Sequence, residues 1–259
     1  MRFRLLGPLE IEVDGRLVEF SGLRQRRLLG ALLLEVGRVV SEERLAEIVW
    51  YGDALPESAI PTMRTYVSRI RQSLRSSEVI VNRDGGYAAV LDGHTTDVQD
   101  FEGLVRRAEA ASNSAGLIDL FTDSLALWRG ALLGELSEEA WVLPQLGRLD
   151  EIRASAVEAR AQAQLDLGLN GDVLVGLGPY LGEWSRRESI RGLHMTALYR
   201  SGREADALES FQEHRRLLAE DTGLEPGKEL VELERRILGH DPSLDRVASG
   251  RPLRGYTLG

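Results

Sequence analysis

No acidic side chain interrupts the run from Ala59 to Arg75, yet it carries Arg64, Arg69, Arg71 and Arg75 in a chain of net charge −9. Met63, Val67, Ile70 and Leu74 recur at helical spacing with Tyr66 alongside, so the run is expected to form a helix with one apolar edge against a core. At about 100° per residue, Arg64, Thr65, Ser68, Arg69, Gln72 and Arg75 fall on the opposite face, and Arg71 lies at the margin of the apolar stripe. An ordinary solvated face mixes both signs and begins with acids, so this one is suited to an anion. Ser58 is expected to cap the helix, with Pro61 in its first turn, where a missing N–H costs little. A plain surface helix with several arginines is the alternative, and the flanking segments weigh against it.

Upstream, Phe3, Leu5, Leu9, Ile11 and Val13 alternate with charged residues, and Asp14-Gly15 precedes Leu17 and Val18, which predicts a small antiparallel sheet of two or three strands. Residues 23–36 place Leu28, Leu29, Leu32 and Leu33 on one helical face and stop at Gly37. Arg24, Arg26 and Arg27 in its first turns suit either a solvated end or a phosphate. Ser41 is expected to cap a further helix that buries Leu45, Ile48 and Val49, with Trp50 closing the core. A Gly- and Pro-bearing turn then delivers the chain into the arginine helix. Beyond it, Val79 and Val81, Asp84-Gly85-Gly86, and Tyr87, Ala89 and Leu91 form a second hairpin with Arg83 beside its tip. Sheet, three helices and hairpin make an α+β winged helix-turn-helix over residues 1–94. In such a fold the second helix of the pair enters the major groove and the wing lies over phosphates or an adjacent minor groove.

From Thr96, which forms a capping-box pattern with Gln99, the chain reads as all-α: helices are expected at 97–111, 114–129, 138–168, 171–184, 188–201, 204–221 and 226–238. Leu165–Gly168 with Asp172, Leu174 and Leu177 matches Tyr199–Gly202 with Asp206, Leu208 and Phe211 at a spacing of 34, the mark of tetratricopeptide-like helix pairs that leave a concave face for a partner. This second domain is placed at 95–239, followed by a polar Gly- and Pro-containing tail, 240–259, expected to be disordered.

GRVVSEERLAEIVW, TYVSRIR and the wing VNRDGGY resemble the Streptomyces antibiotic regulatory protein (SARP) family, whose DNA-binding half is similar to response-regulator effector domains. SLALWRGALL and LHMTALYRSGREADALESFQEHRRLLAEDTGLEPGKEL look like that family's bacterial transcriptional activation domain, so the resemblance runs from about Arg2 to Leu238. One departure is Pro61, where the family usually has a polar residue. The resemblance favours an activator; the protein is expected to be cytoplasmic and to bind direct repeats upstream of promoters, as a homodimer or as side-by-side protomers. The resemblance further implies recruitment of RNA polymerase holoenzyme, sigma factor included, to a secondary-metabolite (antibiotic) gene cluster. The expected DNA contacts are Arg64, Thr65, Ser68, Arg69, Arg71, Gln72 and Arg75 from the helix and Arg83 and Tyr87 from the wing. Trp50, Tyr51, Gly52 and Asp53 fall in the loop that should touch polymerase. A repressor of the same fold, or a helical-repeat scaffold that does not bind DNA, are the alternatives.

Residues 1–94 hold 13 Arg and 13 acids, whereas residues 95–259 hold 19 basic and 28 acidic groups, so a polyanion site in the first half must arise from clustering on one face. There is no cysteine, which excludes disulfides, thiolate metal sites and cysteine nucleophiles. GxxxxGK[ST], HExxH and GxSxG are absent, and the four histidines are scattered singly, so neither an enzyme nor a cofactor is expected. MRFRLLGPLEIEVDG has no long apolar core, which argues against a signal peptide or membrane span.

Overall fold

Asp14 and Gly15 both take left-handed backbone, with φ of 51° and 76°, and this turn matches the twist of the strands it joins. Strands β1 (Arg2–Arg4), β2 (Glu10–Val13) and β3 (Arg16–Val18) accordingly form a three-stranded antiparallel sheet in the order β1-β2-β3. The protein, seen as a computed structural model, is described over residues 1–18, 20 and 22–245. It comprises two compact units: Met1–Leu104 with Ser124–Ile152, and Val105–Asp123 with the chain from Arg153 onward.

In the first unit, α1 (Leu23–Leu34) buries Leu28, Leu29, Leu32 and Leu33, and Gly37 at φ 82° turns the chain while its N–H donates to Ala89 O at 2.8 Å. Strand β4 (Val40–Ser41) leads into α2 (Glu42–Val49), whose cap is Ser41 Oγ accepting from Arg44 N at 3.2 Å. Helix α3 (Ala59–Leu74) follows, then β5 (Ile80–Arg83) and β6 (Gly86–Ala89). The wing is more than a hairpin: β4 adds to it, giving a sheet in the order β4-β6-β5. Met63, Val67, Ile70 and Leu74 of α3 are all buried with Leu45 and Val49 of α2, each such side chain stabilising the fold by roughly 1.5–3 kcal/mol relative to exposure.

The same unit reaches past residue 94. Thr96 and Gln99 make the reciprocal capping box, Thr96 N to Gln99 Oε1 at 3.1 Å and Gln99 N to Thr96 Oγ1 at 3.2 Å, at the start of α4 (Asp97–Glu109). The Asp97 carboxylate accepts from Leu5 N at 2.6 Å and Leu6 N at 3.0 Å, while Arg129 N donates to Leu6 O and Leu133 N to Leu5 O. Four backbone groups that no strand pairs are satisfied in this way. Gly7 makes the close approach possible, since a Cβ there would lie 2.9 Å from the Arg129 Cβ.

Helices α5 (Ser114–Ala126) and α6 (Leu143–Asp166) lead on to α7 (Asn170–Glu183), α8 (Glu188–Arg200), α9 (Glu204–Thr222) and α10 (Lys228–Leu238). The 34-residue repeat is visible in hydrogen bonds. Gly168 and Gly202 take φ of 75° and 73°, Leu169 N donates to Gln164 O at 2.8 Å, and Arg203 N donates to Leu198 O at 2.9 Å. One turn chemistry therefore ends α6 and α8 alike. Residues 240–245 of the expected disordered tail are ordered. Asp241 accepts from Ser243 N and from Arg236, Arg200 Nε donates to Leu244 O at 2.7 Å, and Leu244 is packed with Met195, Phe211 and Ile237. An apolar side chain with a core to enter outweighed the polar composition around it. Residues 246–259 of the expected tail lie outside the described ones.

Candidate nucleic-acid interface

Helix α3 does not use its expected cap. Ser58 has φ −86° and ψ 11°, outside the extended region a capping side chain needs, and the entry is made instead by a tight turn in which Ala59 N donates to Pro56 O at 2.9 Å. At the other end Arg75 takes the left-handed conformation with φ 52°, Ser76 N donates to Arg71 O, and Arg75 N donates to Gln72 O. This pair of bonds closes the helix in the manner usually reserved for glycine and turns the chain toward the wing.

Between those ends the outer face is open. Arg64, Thr65, Ser68, Arg69, Gln72 and Arg75 are all exposed, opposite the buried stripe. Arg69 and Arg75 carry no ion pair or side-chain hydrogen bond among the described residues, and neither does Arg83 on the wing. Arg64 differs: its Nε and Nη2 donate to the two carboxylate oxygens of Glu42 at 2.8 and 2.6 Å. That bond holds the Glu42 carboxyl below its ordinary range and raises Arg64 above its own.

Two of the expected contact residues are engaged within the fold. Arg71 faces inward along the wing, with Nε donating to Ile80 O at 2.9 Å and the guanidinium 5.9 Å from the Tyr87 ring centre. Tyr87 is 5% exposed because β6 is the central strand of the wing sheet and every one of its residues is covered. The pair fastens helix to wing and leaves Arg83 as the expected wing residue at the surface. Arg83 sits opposite Gly86 across a tip in which Asp84 and Gly85 have φ of 37° and 82°. Gly86 is sterically required, since a Cβ there would meet Val40 O at 2.1 Å.

Trp50 is likewise withdrawn from the expected polymerase loop. It ends α2, is 5% exposed, lies 6.3 Å from the Tyr66 ring and is covered by Arg24 at 5.1 Å. Tyr51 is partly tied, its hydroxyl accepting from Ala140 N at 3.2 Å, and Asp53 pairs with Arg24 at 3.0 Å, which raises Arg24 above its ordinary value. The surface the loop does present is 51–58, with Leu55 57% exposed. In the second unit, α6, α8 and α10 border a cleft of about 650 Å3 floored by Leu165, Leu193, Leu230 and Leu233. No helix among the described residues is long and apolar enough to cross a membrane, and no cluster among them could hold a metal ion.

Residues 21–89 match the family described as transcriptional regulatory protein, C terminal, and residues 96–238 match the bacterial transcriptional activator domain. The regulatory protein DnrI of Streptomyces peucetius is 32% identical over 260 residues, with 95% of each chain covered. The chain belongs to the SARP family of transcriptional activators. Regulatory protein AfsR of Streptomyces griseus is 36% identical over 251 residues, a match that takes in 96% of this SARP chain and 26% of AfsR, so the chain spans about a quarter of that relative. A solved structure of Mycobacterium tuberculosis EmbR, in complex with a low affinity phosphopeptide, superposes with a TM-score of 0.82 at 28% identity, over 94% of this chain and 68% of EmbR. Members of the SARP family are transcriptional regulators and not enzymes.

Proposed function

We propose that this SARP regulator binds duplex promoter DNA at direct repeats, as two or more side-by-side protomers, and recruits RNA polymerase there. Each protomer lays α3 in the major groove and brings Arg83 of the wing to a phosphate. The observation that carries the proposal is the acid-free outer face of α3, on which Arg69 and Arg75 have no partner among the described residues. Charged groups left unpaired beside a built apolar stripe match a polyanion, with base edges read by side chains and register set by phosphate contacts. The 51–58 surface and the helical unit are the parts offered to polymerase and its sigma factor, and the compartment is the cytoplasm. A secondary-metabolite cluster near the gene is the proposed target.

A footprint on promoter DNA neighbouring its own gene tests the first half. Protection of spaced direct repeats is expected, and protection without sequence preference would overturn it. Transcription with purified polymerase tests the second. More transcript on adding the protein is expected, and less would mean a repressor acting by occlusion.

A further inference from the structure

Among the arginines of the open α3 face, Arg64 has an ion-pair partner and Arg69 and Arg75 have none among the described residues, and the partner of Arg64 is placed with unusual care. Glu42 is the first residue of α2, its side chain 12% exposed against 59% for Arg64. Its backbone N–H donates to Gly85 O in the wing tip at 3.2 Å, and the preceding Ser41 pairs with Gly86. One residue thus touches the wing, the start of α2 and the outer face of α3.

The chemistry of the pair decides what Arg64 can read. A guanidinium has five N–H donors in a fixed plane, and Glu42 takes one from Nε and one from Nη2. Three remain, including the parallel donors on the Nη1–Nη2 edge that match guanine O6 and N7. The pair has no net charge, so its attraction to a phosphate is largely cancelled, and the carboxylate beside it repels one. Directional hydrogen bonds to a neutral base edge survive that cancellation. Glu42 also fixes a side chain that otherwise loses much rotamer freedom on binding, which leaves less to be lost when DNA arrives.

We propose that Arg64, held by Glu42, is a guanine-reading residue of this interface and that Glu42 is its positioning residue. The proposal rests on the DNA-binding reading above. It divides the arginines of α3: Arg64 selects a base, while Arg75, unpaired at the helix end, supplies charge to phosphates.

Selection of binding sites from random duplexes, followed by affinity against salt, tests this with the full chain. The double variant E42Q/R64Q removes the pair at constant net charge. It should lose the preference for guanine at one position, weaken binding to the selected site roughly 5- to 150-fold, and keep the salt dependence of the wild type. R64K retains the charge without the fork and should lose the same preference, and E42Q alone should blur that position while sparing the others. An unchanged preference in the double variant, an equal loss on all sequences, or a salt slope lower by about one phosphate contact would each overturn the assignment. Tighter binding of the selected site by E42Q with the guanine preference intact would also overturn it, marking Glu42 as a restraint on Arg64. If the wild type itself enriches no sequence, the DNA-binding reading fails, an outcome distinct from all of these.

Discussion

Arg71 Nε donates to the carbonyl oxygen of Ile80 over 2.9 Å, so the last turn of α3 and the first residue of β5 are joined by a side chain. The same guanidinium meets a ring of the wing, the Tyr87 centroid lying 5.9 Å from Arg71 Cζ. Arg71→Ala should destabilise the fold by about 1–3 kcal/mol and speed amide exchange in β5 and β6. Unchanged stability together with a lower salt slope of DNA binding would return Arg71 to the phosphate contacts.

Arg69, unpaired among the described residues near the middle of the same face, should matter for recognition and not for folding. Arg69→Ala is expected to leave the melting temperature unchanged and to weaken specific binding by roughly 5- to 150-fold. Specific affinity within twofold of the wild type would count against the groove placement of α3.

Arg83, exposed at the wing tip, should act through charge alone. Arg83→Ala is expected to lower affinity about equally on every sequence and to reduce the salt slope by about one contact. A loss confined to one base step would instead mark minor-groove readout.

Burial pushes the Asp97 carboxyl above its ordinary range, against the pull of the Leu5 and Leu6 N–H groups and of Arg129. A carboxyl with a raised folded pKa holds its proton more tightly in the native state. Its stabilising contribution is therefore complete below the unfolded value of ~3.9 and declines as pH rises through the folded value. The stability of wild type relative to Asp97→Asn, followed by urea unfolding, should fall with rising pH across that window and then level off. A difference that grows with pH would show that the backbone donors outweigh burial.

Gly168 and Gly202 occupy equivalent left-handed turns, with φ of 75° and 73°, and a Cβ at Gly202 would meet nothing within 4 Å. Alanine at each should cost about 1–2 kcal/mol through the strain of a left-handed backbone, by nearly equal amounts. Unequal losses in thermal unfolding would mean that the two turns are not the same device.

Periodicity carried far in this sequence because α3, α8 and α9 bury residues at helical spacing, and the two turn glycines sit 34 apart where a repeat needs them. What stayed hidden depended on partners distant in the chain. Glu42 is 22 residues from Arg64, on another helix, and an acid there reads as an ordinary first-turn residue. Asp97 is 92 residues from Leu5, and its position after a Thr cap marks it as one more N-terminal acid. Arg71 lay at the margin of the apolar stripe, where a wheel assigns no side; the nearby wing carbonyl decided it. Tyr87 belongs to a strand whose central place follows from β4, two residues long and too short to show a period. The clamp on Leu5 and Leu6 has a practical counterpart. A fragment ending at residue 94 lacks Asp97, Arg129 and Leu133, so it should unfold more readily than one ending at residue 152.

The absent methyl at position 86 reaches further than its own strand. With β6 free to press against the Val40 carbonyl, and Glu42 N bound to the tip at Gly85, the wing has little room to pivot about the start of α2. On the proposed mode of binding, the span between Arg83 and the α3 face is a fixed gauge, set before any duplex arrives, and DNA whose groove geometry does not suit it must itself bend.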